Sequence, residues 1–446
     1  MTGAGLIEIV WSLVFLASAV LLIRKWSFFR VEGLSTRTIS GIFLLKILAG
    51  IAVWAIYTWH YEYRAASDAY GYFDDAMILN SYLLEQPSVW FRFMFGINLH
   101  AEDLKPVFER MVRWTSSYTY GIANDNPTVI RLNMIIGLFS FGAYHVHTVV
   151  HAFLSLMGLT WLTRMLKDVR IGSSSAMVFL SLSLFPSVLF WSSGVLKEAV
   201  LLFVFGGIFY GMKAWFYPGY QNRLWLILFT LLGFYIKPYV VISLLPALLA
   251  YMMVKQTNWK PWIVFPAVLL AFYALASSAH LFFPAGNLQY ILSKKQTDFY
   301  NVAAMNDAGS VVDISPIEES TLGFLLDAPE RVWFACFRPL PPDYAGLFYL
   351  VPIGESLLAL GLSLLMFIVL ARGRLALGSI EYRTPEASFT WLVISFVLTL
   401  AMIIGSCVPV LGALVRYKIP FLLLLSGWIG VSISALARTE QFKSGE

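Results

Sequence analysis

Runs of about 17–25 mostly apolar residues recur from one end of this chain to the other, and such runs are long enough to cross a bilayer as helices. They fall near 6–23, 40–59, 143–162, 174–191, 198–214, 224–237, 239–254, 261–283, 347–371, 387–408 and 412–436. In hydrocarbon only a helix or a closed barrel satisfies its own backbone. Runs of this length fit helices. The expected architecture is therefore an all-α, polytopic transmembrane protein with about eleven spans, residues 1–446 forming one integral-membrane unit. Composition agrees, because 59% of the residues are hydrophobic and 13% charged, against about 25% charged in a soluble domain. The first run lacks the basic n-region of a signal peptide, with Glu8 near its start, and reads as a retained span. The pair at 224–254, divided by Lys237-Pro238, fits one kinked helix or two broken ones. The run at 128–142 fits an interfacial helix or the start of the third span.

Orientation follows from the basic residues of the short loops. Arg24, Lys25, Arg30 and Arg37 fall in one loop, Arg164, Lys167 and Arg170 in another, and Lys213 with Arg223 in a third. Lys255 and Lys260, then Arg372, Arg374 and Arg383, and finally Arg438 and Lys443 continue the series. All share one side if eleven spans alternate. The N-terminus is then outside and the C-terminus cytoplasmic. Two long segments, 60–130 and 284–346, become extracytoplasmic loops; their mixture of aromatics and charges suits amphipathic helices on the membrane surface. No internal repeat is evident. The net charge of +5 is scattered, so there is no nucleic-acid footprint. Two cysteines, Cys336 and Cys407, exclude a disulfide framework, a zinc finger and an iron–sulfur ligand set.

Polar residues outside the basic loops concentrate on the outer side of this topology. Ser67-Asp68-Ala69-Tyr70-Gly71-Tyr72-Phe73-Asp74-Asp75 follows the second span; Phe185-Pro186-Ser187 and Phe190 to Glu198 lie between the fourth and fifth; Lys237-Pro238-Tyr239, Arg338-Pro339 and Arg416-Tyr417-Lys418 mark later turns. Lys197, Glu198, Lys237 and Glu355 sit in or at the edge of apolar runs, where a charge faces a cavity, a partner or the interface. Each alone reads equally as snorkelling or structural pairing; together on one face they suggest a common polar cavity. The carboxylates Asp68, Asp74 and Asp75 read either as a solvated helix start or as an acid held beside an aromatic shelf, placed to act as a general base. His147 and His151 have helical metal-ligand spacing, with His145 nearby, but no carboxylate completes a set.

In that order these elements resemble bacterial polytopic proteins related to GT-C-type glycosyltransferases and polysaccharide polymerases. The likeness rests on Asp68/Tyr72, on Phe185 to Glu198 as its most specific stretch, and on Lys237-Pro238-Tyr239, Arg338-Pro339 and Glu355. It implies a bacterial inner-membrane enzyme that uses a polyprenyl-phosphate-linked sugar donor and a glycan or other hydroxyl acceptor at the outer face. It carries the catalytic role to Asp68, with Asp74 and Asp75 behind it. Tyr72, Trp191, Lys197, Glu198, Lys237, Arg338, Glu355 and Arg416 become substrate-binding candidates. No cofactor is implied, and a divalent metal is left open. Two features depart from the pattern. Lys237 stands where an arginine is expected, which removes a bidentate phosphate fork, and an extra span precedes the acidic loop.

Two rivals use the same residues differently. A transporter or flippase of a lipid-linked saccharide needs polar residues through both membrane halves, whereas here Lys46 is the clearest inner one, close enough to a loop to snorkel. A structural subunit of an envelope assembly predicts an apolar groove without a cationic pocket.

Overall fold

The computed structural model describes residues 3–59, 63–64, 67–115, 125–169, 173–216, 223–257, 259–282, 286–305, 308–318, 320–343, 347–371 and 385–444. The regular secondary structure among the described residues is helical, the only extended pairings being the isolated bridges Val31–Leu34 and Val311–Val410. The helices are α1 (Gly3–Lys25), α2 (Thr36–Trp59), α3 (Asp68–Glu85), α4 (Pro87–Phe95), α5 (Lys105–Glu109), α6 (Asn126–Ser140), α7 (Tyr144–Val169), α8 (Ser175–Leu184), α9 (Pro186–Trp191) and α10 (Lys197–Phe216). They continue as α11 (Arg223–Ile236), α12 (Pro238–Gln256), α13 (Pro261–Ser278), α14 (Leu288–Met305), α15 (Thr321–Leu326), α16 (Ala328–Phe337), α17 (Leu347–Ala371), α18 (Pro385–Cys407), α19 (Leu411–Tyr417) and α20 (Ile419–Ser444).

Each of the eleven apolar runs is helical. Six helices among the described residues are long and apolar enough to cross a membrane, and a seventh span results if α19 and the start of α20, bent by 51°, count as one. The run at 174–191 is broken at Phe185, before Pro186, whose missing N–H and ring bulk oppose a continuous helix. The 224–254 pair is two helices, separated at Lys237 by Pro238 for the same reason. The run at 128–142 is a helix of its own, α6, closed by Phe141 and Gly142 at positive φ. Helices also occupy both long segments between spans: α3, α4 and α5 in the first, α14, α15 and α16 in the second. The basic positions 170, 372, 374 and 383 lie outside the described residues.

The chain divides into two compact units. The first contains Met1–Met165, Ser174–Leu184 and Val188–Pro238; the second contains Leu166–Ser173, Phe185–Ser187 and Tyr239–Glu446. In the first, α3 packs on α4 and α6 around Leu79, Phe93, Ile130 and Met134, all fully buried. Glycines let α7 and α10 cross in backbone contact, since a Cβ at Gly158 or Gly206 would strike the facing helix's backbone. Close approach through small residues is how helices pack where hydrocarbon offers no hydrophobic drive between them. In the second unit α18 is central, packed by α13, α14, α16 and α20.

Candidate functional site

In the first unit the residues of interest gather at helix ends. Ser67 caps α3, its hydroxyl accepting from the Tyr70 amide, and this places Asp68 in the first turn, where a carboxylate is favoured by the macrodipole. Asp68 faces Arg113 at 3.3 Å. Arg113 is presented by a turn that Asp75 organises: its two carboxylate oxygens accept from the backbone N–H groups of Val112, Arg113 and Trp114, each at 2.8 Å. Burial pushes the Asp75 carboxyl above its ordinary range, and the three amides pull against that shift. Gly71 leaves room for the Arg113 stem, which a Cβ there would meet. Asp74, one residue away, instead pairs bidentately with Arg64, at 2.7 Å on both contacts. Three carboxylates that look alike in the sequence thus have three different surroundings.

Behind Asp68 lies Lys197, the first residue of α10. Its ammonium donates to the Asp125 carboxylate, sits 5.5 Å from the centre of the Tyr72 ring, and lies within electrostatic reach of Asp68 and Lys237. The Tyr72 hydroxyl donates to Asn126 Oδ1 at 3.3 Å, and the Asn126 amide donates to the Arg113 carbonyl at 3.0 Å. Asn126 therefore ties the start of α6 to both α3 and the Arg113 turn. Next to Lys197, Glu198 accepts from Lys237 Nζ at 2.9 Å. Trp191 packs edge-on to Phe190, against an aromatic cluster of Tyr57, Tyr70, Phe73 and Tyr144.

The ion pairs form a gradient of exposure. Side chains of Arg64/Asp74 are 55% and 33% exposed, Arg113/Asp68 25% and 30%, Lys197/Asp125 10% and 22%, and Lys237/Glu198 5% and 1%. Each cation in the series faces a carboxylate, so the group is not a cationic pocket. An anion entering here competes with acids already in place.

The second unit holds the remaining candidates. Glu355, on α17, accepts from the Ser187 amide at 2.7 Å and from the Ser187 hydroxyl. Arg338 pairs with Asp343, whose other oxygen accepts from the Leu340 amide at 2.6 Å. Lys418 is fully buried, donating to the Arg338 carbonyl at 3.0 Å and to Ser356 Oγ at 3.1 Å, within electrostatic reach of Glu355. Lys418 thus links the Arg338 and Glu355 elements. Arg416 closes α19 beside Tyr417, whose ring stacks on Tyr239 at 5.5 Å. An apolar cavity of about 340 Å³ opens between α16, α17, α18 and α20, lined by Cys336, Phe337, Ala359, Leu422, Leu425 and Trp428 among others. The Trp428 indole N–H is satisfied by Thr390 Oγ1 at 2.8 Å.

Other polar groups are committed to the interior. His147 uses both ring nitrogens, with Asn133 at 2.7 Å and Ser140 at 2.9 Å, and His151 Nδ1 contacts the His147 carbonyl at 2.9 Å. No group of three His, Cys, Asp or Glu side chains among the described residues is placed to hold a metal ion. Cys336 and Cys407 are both free thiols. Lys46 does not snorkel: it is fully buried and donates to Ser192 Oγ at 2.7 Å, and Ser155 donates to the same hydroxyl at 3.1 Å. The expectation failed because α2 turns this position toward Ser192, in the turn that follows α9, rather than along its own axis to a loop.

Arg113, Asp125 and Asn126 are the functional candidates that sequence reasoning missed. Asp125-Asn126-Pro127 carries a helix-start signature that could have marked two of them; for Arg113 the sequence offers no sign. No family model, curated protein or solved structure matches this chain.

Proposed function

We propose that this chain is a bacterial inner-membrane glycosyltransferase or polysaccharide polymerase, moving a sugar or oligosaccharide from a polyprenyl-phosphate-linked donor to an acceptor hydroxyl at the extracytoplasmic face. This reading keeps the eleven-span topology with the N-terminus outside and the C-terminus cytoplasmic. The observation that carries it is the Asp68–Arg113 pair at the mouth of an ion-pair series that leads inward through Lys197 to Lys237. Asp68 is open enough to meet a hydroxyl, and cations lie behind it for a leaving phosphate.

In the reaction the acceptor oxygen bonds to the anomeric carbon as the bond from that carbon to the phosphate oxygen breaks. The hydroxyl proton passes to Asp68, and the electron pair leaves with the polyprenyl phosphate. Developing charge on that phosphate is stabilised by preorganised cations of the first unit, for which Lys197, with Lys237 behind it, is the candidate. Glu198 and Glu355 hold their surroundings in place. Asp75 positions Arg113 rather than touching substrate, because both its oxygens are already occupied by amides.

The test is a cell-free transfer reaction with a radiolabelled lipid-linked donor, comparing Asp68→Asn and Lys197→Ala with the parent. Loss of turnover by about 100-fold or more in Asp68→Asn is expected for a lost general base. Full turnover in both variants would remove the mechanism. Lys46, buried with Ser155 and Ser192, is the one observation that favours a flippase instead. Transbilayer movement of a lipid-linked saccharide in reconstituted vesicles, lost in Lys46→Met, would support that alternative.

A further inference from the structure

Asp125 stands at the N-cap of α6 yet makes no capping hydrogen bond. Aspartate at this position usually accepts from the helix's own first amides. Here the carboxylate reaches across to α10 and takes the Lys197 ammonium. The two partners are not equally free to move. Asp125 is the more exposed, at 22% against 10% for Lys197. Lys197 is further confined by the Tyr72 ring and by the charges of Asp68 and Lys237. The neighbouring pair behaves differently, because Glu198 is sealed at 1% exposure and cannot leave Lys237 for water without stranding a buried charge. The Lys197 partner, Asp125, has a way out to solvent that the Glu198 carboxylate lacks.

We infer that Asp125 is a built-in substitute for the anionic group of the ligand: it holds Lys197 while the site is empty and swings away when a phosphate monoester or diester takes its place. The inference rests on the reading that a phosphate-bearing ligand uses Lys197, and it adds a regulatory contact to that site. Asp125 keeps the lysine oriented and compensated in the resting protein. It also sets a threshold, since a ligand must bind the ammonium better than a carboxylate already in contact. Neutral lipids are rejected for the same reason, having nothing to exchange for the ion pair.

The experiment measures binding of dodecyl phosphate to the full-length protein in nanodiscs, with dodecanol as the uncharged twin and inorganic phosphate as the tail-less one. Asp125→Asn should bind dodecyl phosphate up to about fivefold more tightly than the parent, as expected when a competing ion pair is removed, with dodecanol binding unchanged. Asp125→Asn/Lys197→Ala should lose the gain. Equal or weaker binding by Asp125→Asn overturns the inference, while Lys197→Ala binding as well as the parent overturns the reading beneath it. Competition by inorganic phosphate at similar concentration would identify a free anion rather than a lipid headgroup as the ligand. A second measurement needs no variant: in the parent protein dodecyl phosphate should raise carbodiimide labelling of Asp125 several-fold, and no rise overturns the displacement.

Discussion

The Asp75 carboxylate offers the sharpest test of how the site is assembled, because its effect on Asp68 must pass through a backbone turn. Replacing Asp75 with alanine leaves the amides of Val112, Arg113 and Trp114 without their acceptor. Trp114 is buried, so its amide has no water to turn to, whereas Val112 is exposed and Arg113 half-exposed and theirs can be rehydrated. One fully stranded amide and two partly compensated ones give a loss of about 2–4 kcal/mol, from 1–3 kcal/mol for each unsatisfied buried group. Asp75→Asn keeps one acceptor oxygen but turns an amide N–H₂ toward donors, and should fall between. The assay is hydrogen–deuterium exchange over residues 111–115 in nanodiscs, with thermal unfolding alongside. Exchange at Trp114 should accelerate by at least tenfold in Asp75→Ala, and Arg113 should lose its hold beside Asp68. Donor binding then supplies a cycle: Asp75→Ala and Arg113→Ala should be far from additive, since both act through one contact. Unchanged exchange and unfolding temperature in Asp75→Ala, or additive effects in the cycle, would refute the positioning role.

Other expectations follow from the same geometry. Glu198→Gln and Lys237→Met should each destabilise by about 3–5 kcal/mol, because each removes the direct ion-pair partner of a buried charge, while the double variant should be milder than either; thermal unfolding of the three proteins checks this. Gly158→Leu should break the α7–α10 crossing and yield aggregated protein on size exclusion, whereas the same change at Gly361, where a Cβ meets nothing, should leave it monodisperse. Gly71→Val should displace the Arg113 stem, reproducing in donor binding the loss expected of Arg113→Ala while leaving the unfolding temperature within a few degrees. Ser187→Ala removes the hydroxyl donor to Glu355 but keeps the amide donor, so a loss of about 1.5–3 kcal/mol is expected, read by denaturation in detergent.

The amino-acid sequence alone determines where this protein is helical and that it belongs in a membrane. Those properties are largely local: an apolar run closes its hydrogen bonds within itself, and helices break before Pro186 and Pro238, although Pro246, Pro266 and Pro352 lie within continuous helices. It also picks out Lys197, Glu198, Lys237 and Glu355, because a charge beside hydrocarbon stands out by its energetic penalty. Partnership is a different matter. Asp68, Asp74 and Asp75 carry the same functional group within eight positions, and only the tertiary structure decides that one meets Arg113, one Arg64 and one three backbone amides. Arg113 meets Asp68 and Asp125 meets Lys197 across long stretches of chain, through contacts that no periodicity encodes. Lys46 shows the same division: its cost was visible in the chain, but the direction its side chain takes depends on Ser192, which lies 146 positions away.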